Sequence, residues 1–142
     1  MKAKGKLSLC LLCLLLGNLP TQAQQLKHLV IDKMEAKAIS DGITLRSESG
    51  ANGTFGYFVL KKDASVPMHK HVNEQYSFIL KGSVKAIIGD TTIIIKAGEA
   101  VLIPANLPHS FTSLEEGTID LDFFAPRRED WINGTADYFK KK

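Results

Sequence analysis

Apolar and polar positions alternate in short runs along most of the chain, and the runs are separated by turn formers. Ile43–Arg46 follows the turn pair Asp41-Gly42, and Phe55–Lys61 follows a loop, Ser47–Gly53, that contains Gly50, Asn52 and Gly53. Gln75–Leu80 alternates and stops at Lys81-Gly82. Val84–Ile88 and Thr91–Lys96 flank Gly89-Asp90 and predict a hairpin. Ala97-Gly98 turns again, Ala100–Ile103 forms a short apolar strand that Pro104 ends, and His109–Ser113 and Thr118–Phe124 flank the turn Glu115–Gly117. Residues 29–47 hold short apolar runs, and Asp63–Pro67 reads as a connector. Many short strands with almost no helical period predict an all-β sandwich or barrel. The tail, 125–142, has a different pattern. Arg128–Trp131 and Tyr138-Phe139 predict a short turn or helix that packs its aromatics on the outside of the barrel.

The start of the chain breaks this pattern. Lys2, Lys4 and Lys6 precede an apolar stretch, Leu7–Leu16, that is too short to cross a bilayer as a folded helix. Gly17–Pro20 ends it, and Thr21-Gln22-Ala23 offers a small-residue cleavage site. Residues 1–23 therefore predict a signal peptide, with 24–142 as one exported domain, periplasmic or secreted. This changes the reading of charge. The whole chain carries 18 Lys and Arg against 15 Asp and Glu, but residues 1–23 contribute three lysines and no acid, which leaves an even balance. Nothing polybasic remains to engage nucleic acid or, once the signal is removed, a membrane surface. Cys10 and Cys13 both lie in the signal, so the exported chain relies on its core rather than on disulfides.

Candidate chemistry gathers at Met68–Gln75. In a strand, residues i and i+2 share a face, so His69 and His71 can present two imidazoles to one point, as a transition metal requires. Gln75 has the same parity, whereas Glu74 faces the other way. His109 is a further imidazole downstream, and His28 is isolated near the start. A second constellation lies at the chain's last strand. Asp122 and Phe124 share a face, and Arg128 follows. Asp122 could move a proton and Arg128 could swing over the mouth to hold a carboxylate. The same residues also suit a core phenylalanine and a surface ion pair. Asn52-Gly53-Thr54 and Asn133-Gly134-Thr135 are sequons only in a glycosylating host.

The spacing resembles that of single-domain cupins. Their first motif, G-x5-H-x-H-x3-E-x6-G, is met by His69, His71 and Gly82, with Asp63 at the first glycine and Gln75 at the acid. Their second, G-x5-P-x-G-x2-H-x3-N, is met by Gly98, Pro104 and His109, with Asn106 and Ser113 at the remaining positions. Asp and Asn tolerate the left-handed backbone that glycine usually supplies. The resemblance implies an all-β cupin (double-stranded β-helix, or jelly-roll) barrel holding one divalent ion, whether nickel, zinc, iron or manganese.

The pattern H-x-H-x-x-E-Q is similar to that of a subgroup in which the glutamine oxygen ligates. It implies the set His69, His71, Gln75 and His109. Joined to the ending D-x-F-x-x-x-R-E-D-W, it resembles the pectin-degradation cupins, which convert 4,5-unsaturated monouronates from pectin or alginate to linear ketonised sugars. That resemblance implies a metal-dependent isomerase-like enzyme for a carboxylated sugar, with Asp122, Phe124 and Arg128 as catalytic positions. A homodimer is the common state of small cupins. The alternatives are a metal-dependent cupin dioxygenase and a non-catalytic cupin that binds sugar or metal.

Overall fold

The computed structural model describes residues 25–139, so the expected signal segment lies outside the described residues. Ten strands follow in order: β1 (Lys37–Ser40), β2 (Ile43–Ser49), β3 (Thr54–Leu60), β4 (Ser65–His69), β5 (Glu74–Lys81), β6 (Ser83–Ile88), β7 (Thr91–Lys96), β8 (Ala100–Ile103), β9 (His109–Ser113) and β10 (Thr118–Ala125). A 3-10 turn, Ile31–Lys33, precedes them, and one short helix, α1 (Glu129–Ile132), follows. All pairings are antiparallel. One sheet runs β1-β2-β3-β10-β5-β8 and the other β4-β9-β6-β7. Two facing antiparallel sheets of this kind make a jelly-roll barrel.

The period-two pattern places the core. On β3, Thr54, Gly56, Phe58 and Leu60 are buried and their neighbours are not. One apolar cluster joins Ile79, Val84, Ala86, Ile95, Ile103 and Phe111. A second joins Ile43, Leu45, Phe58, Leu60 and Ala64, with Trp131 and Phe139 packed against it. Two expected glycine positions are filled by residues in the left-handed region, Asp63 at φ 65° and Asn106 at φ 62°. Short polar side chains tolerate that conformation, so the motif turns survive the substitutions.

Two expectations need correction. The stretch read as a connector before His69 is strand β4. Pro67 is tolerated there because β4 is the edge of its sheet and its register with β9 shifts between Val66 and His69. The tail aromatics pack into the barrel mouth, not on its outside. Trp131 sits edge-on to Phe58 at 6.1 Å and to Phe124 at 5.1 Å.

A candidate metal centre at the barrel mouth

His69 closes β4, His71 lies in the following loop, and His109 opens β9 opposite His69. His69 and His71 therefore do not share the face of one strand, as their parity predicts. The strand ends at the first histidine, and the loop turns the second inward. The three imidazoles still converge, with one ring nitrogen from each lying within 4.8 Å of the others. Each ring is fixed through its Nδ1. His69 meets the Pro67 carbonyl at 2.8 Å, His71 the Asn73 carbonyl at 3.1 Å and His109 the Leu107 carbonyl at 2.7 Å. A carbonyl can only accept, so Nδ1 carries the hydrogen and Nε2 keeps its lone pair. The Nε2 of His109 is buried and has no hydrogen-bond partner. Burial, and next the charge of a neighbour (His109 for His69, Arg128 for His71), lower both groups from the ordinary 6.5 to about 4. His109 is lowered too, chiefly by burial. All three are thus neutral ligand donors at neutral pH.

Gln75, on β5, completes the ring. Its amide nitrogen donates to Ser77 Oγ at 2.9 Å and to Asp122 Oδ2 at 3.0 Å. Both amide hydrogens are used, which turns Oε1 toward His71 Nε2, 3.0 Å away. Two lone-pair donors face one another there. Adjacent ligands on an ion with bonds of about 2.1 Å sit about 3 Å apart, so this contact is what a shared cation would produce. The donor set fits a divalent metal.

Behind it lies a carboxylate pair. Asp120, Asp122 and Phe124 point inward from β10. Asp122 accepts a short hydrogen bond from Ser77 Oγ in addition to the one from Gln75. Burial raises it to about 6, against the opposing bonds from Ser77, Asp120 and Gln75. Asp120 is raised well above the ordinary range by burial and then by Asp122, and its Oδ1 has no partner. Phe124 is buried and stands edge-on to His71 at 5.4 Å.

Arg128 is not a mobile arm over the mouth. It is fully buried. Asp130 grips its Nε at 2.8 Å and Nη2 at 2.6 Å. Phe124 and Trp131 flank the guanidinium at 4.8 and 4.4 Å. Only Nη1 is left without a partner.

His69, Gln75, Asp120, Asp122, Phe124 and Arg128 all line one cavity of about 20 Å³. Ser77, Asp120 and Tyr138 are the members that sequence reasoning missed. The first two were marked only by being polar at inward positions of otherwise apolar strands. Tyr138, expected only as an aromatic packed on the outside of the barrel, stacks on His69 at 4.2 Å with 14° between the rings.

Paired jelly-roll sheets with a three-histidine mouth define the cupin class, and residues 56–122 match the cupin domain family. The chain carries a cupin domain at that position. It is similar to the pectin degradation protein KdgF of Dickeya dadantii, at 28% identity over 108 residues that make up 75% of this chain and 98% of that one. An uncharacterized protein of Streptomyces coelicolor is 26% identical over 102 residues, 71% of this chain and 97% of that one. KdgF from a Halomonas species shares the fold with a TM-score of 0.69 at 19% identity, covering 72% of this chain and 96% of that one. Oxalate decarboxylase of Bacillus subtilis shares it with a TM-score of 0.65 at 20% identity, covering 73% of this chain and 31% of that one.

Proposed function

We propose that this protein is a metal-dependent cupin that opens and ketonises 4,5-unsaturated monouronates released from pectin or alginate. The observation that carries the reading is the meeting of Asp122, Phe124 and Arg128 with the His/Gln centre around one cavity. The likeness to the pectin degradation protein supports it. His69, His71, Gln75 and His109 would hold the ion, whether nickel, zinc, iron or manganese, and when bound it supplies Lewis-acid polarisation of a substrate oxygen.

The chain's own residues account for the remainder. Arg128 Nη1 is the unspent donor that a substrate carboxylate would meet. Asp122, raised to about 6, takes the proton of the hydroxyl on the hemiacetal carbon and returns it to the outer carbon of the double bond. Between those transfers the bond from ring oxygen to hemiacetal carbon breaks. The hemiacetal carbon becomes an aldehyde and the ring oxygen becomes the oxygen of a ketone. The sum is an isomerisation that needs no co-reactant. Ser77 and Gln75 hold the Asp122 carboxylate in place, and Phe124 and Trp131 wall off water.

Loss of the unsaturated-uronate ultraviolet band on adding metal-loaded protein tests the reading. The expected result is turnover that stops on metal removal and falls by about 100-fold or more in Asp122→Ala. Metal-loaded protein that turns over no unsaturated uronate overturns the assignment. A second reading, a non-catalytic sugar- or metal-binding cupin, is favoured in its metal-binding form by a cavity too small for a sugar. It predicts tight binding with no product by mass spectrometry.

We also infer export through residues 1–23, with Gln24 as the mature N-terminus, and a homodimer. In support of the dimer, Tyr76, Phe78, Leu80, Leu102 and Phe123 are exposed on one face of the six-stranded sheet. That is a broad apolar patch, and such patches mark interfaces.

A further inference from the structure

The cavity beside the centre just described is small, although His69 and His71 are only partly buried. Its volume of about 20 Å³ is near the size of a single water, far below that of any sugar acid. Two elements of the C-terminal segment wall it. Trp131 packs against Phe124 and the Arg128 guanidinium. Tyr138 lies flat on the His69 ring at 4.2 Å, accepts a hydrogen bond from Trp131 Nε1 at 3.1 Å and contacts Phe139 at 4.8 Å. A surface recess of about 580 Å³ reaches His71 from the loop side, but Asp122, Phe124 and Arg128 do not line it. Trp131, Tyr138 and Phe139 line the cavity those three share, so the tail forms one of its walls.

The tail is lightly attached. It follows a helix of four residues and turns at Gly134, whose φ of 67° suits glycine. Backbone bonds from Thr135 and Ala136 to the Asp130 carbonyl, at 2.8 and 3.2 Å, close the turn and would open with it. Beyond them, among the described residues, the tail is held to the barrel by the side chains of Tyr138 and Phe139. The tail lies beside an open recess of about 350 Å³ lined by Lys37, Ile39, Leu45 and Ser47, which gives a displaced ring somewhere to go. Beneath it three buried polar atoms lack partners: His109 Nε2, Asp120 Oδ1 and Arg128 Nη1. A permanent plug over unsatisfied groups costs stability, whereas a removable cover leaves them ready for a ligand.

We propose that residues 133–139 are a lid over the metal centre, hinged at Asn133-Gly134 and latched by Tyr138 on His69. The lid governs access to the centre whichever substrate it takes, so its test uses none.

Metal-free protein is treated with diethyl pyrocarbonate, and labelling of His69 is followed by peptide mass spectrometry. Acrylamide quenching of Trp131, the one tryptophan of the chain, is read in parallel. The expected result is labelling of His69 roughly fivefold faster in Tyr138→Ala, with stronger quenching. Tyr138→Phe, which keeps the stack, stays near wild type. Equal labelling in Tyr138→Ala and wild type overturns the proposal. Hydrogen exchange on the wild-type protein gives an answer independent of any variant's folding. The Thr135 and Ala136 amides are expected to exchange roughly 100-fold faster than those of Asp122 and Phe123 in β10. Equal protection of the two groups overturns the lid. Because no uronate is present in either arm, a negative result here leaves the catalytic reading standing, and the converse also holds.

Discussion

Each imidazole of the centre has its Nδ1 hydrogen committed to a carbonyl two residues away along the chain. That single local contact fixes tautomer and ring direction together, so the lone pairs are aimed before any ion arrives. The environment also fixes the charge state. An ordinary imidazole begins to lose its ligating lone pair to a proton as pH falls through 6.5. For His69 and His71 this loss is delayed to about 4, by burial first and then by nearby positive groups. A lowered pKa moves proton competition to lower pH. Metal affinity measured by calorimetry is therefore expected to hold nearly level from pH 8 to about 5.5 and to fall steeply only as pH approaches 4. A midpoint near 6.5 would show the rings to be solvated and unconstrained.

At the scale of elements, the pairing of β5 with β10 explains why position 75 is an amide. Gln75 lies opposite Phe124, and Ser77 lies opposite Asp122. The amide donates to Asp122 on one side and offers Oε1 to the histidines on the other. A carboxylate at 75 would set oxygen against oxygen at the 3.0 Å contact with Asp122, inside the barrel. Gln75→Glu is expected to lose about 2–3 kcal/mol of stability in urea denaturation of the metal-free protein. Gln75→Glu with Asp122→Asn restores the donor and is expected to recover most of that loss. Additive losses would show that the two residues do not interact.

How much of this was legible follows from the same strands. Alternation made β3, β5, β10 and the β6–β7 hairpin plain, and the resemblance to the two cupin motifs joined His109 to His69 and His71. Strand β4 was hidden because Pro67 reads as a breaker, and only its edge position lets it stay. Ser77 and Asp120 were hidden because a polar residue at an inward position looks like an interruption until its partner across the sheet is known. Arg128 was misjudged because its burial depends on Asp130 and three aromatic side chains, Phe124, Trp131 and Tyr138, arranged around it.

At the scale of the whole molecule, the barrel has one polar end walled by its own tail and, among the described residues, one face with exposed apolar side chains. On that face Phe123 is paired with Tyr76 and Phe55, Tyr76 with Leu102, and Phe78 with Leu121, so the exposed side chains form a continuous band across neighbouring strands. A second copy of the chain is expected to cover it. Light scattering should report a dimer for the wild type and a monomer for Phe123→Glu with the barrel still folded; a monomeric wild type would remove the interface.

The four-ligand centre is tested most directly by metal content. Protein exposed in turn to nickel, zinc, iron and manganese, then freed of excess ion, is measured by elemental analysis beside His109→Ala. The expected result is about one tightly held divalent ion per chain in the wild type for at least one of these metals, and loss of most of it in the variant. A wild-type protein that retains none of the four, or one that holds its ion equally well without His109, would contradict the centre described here.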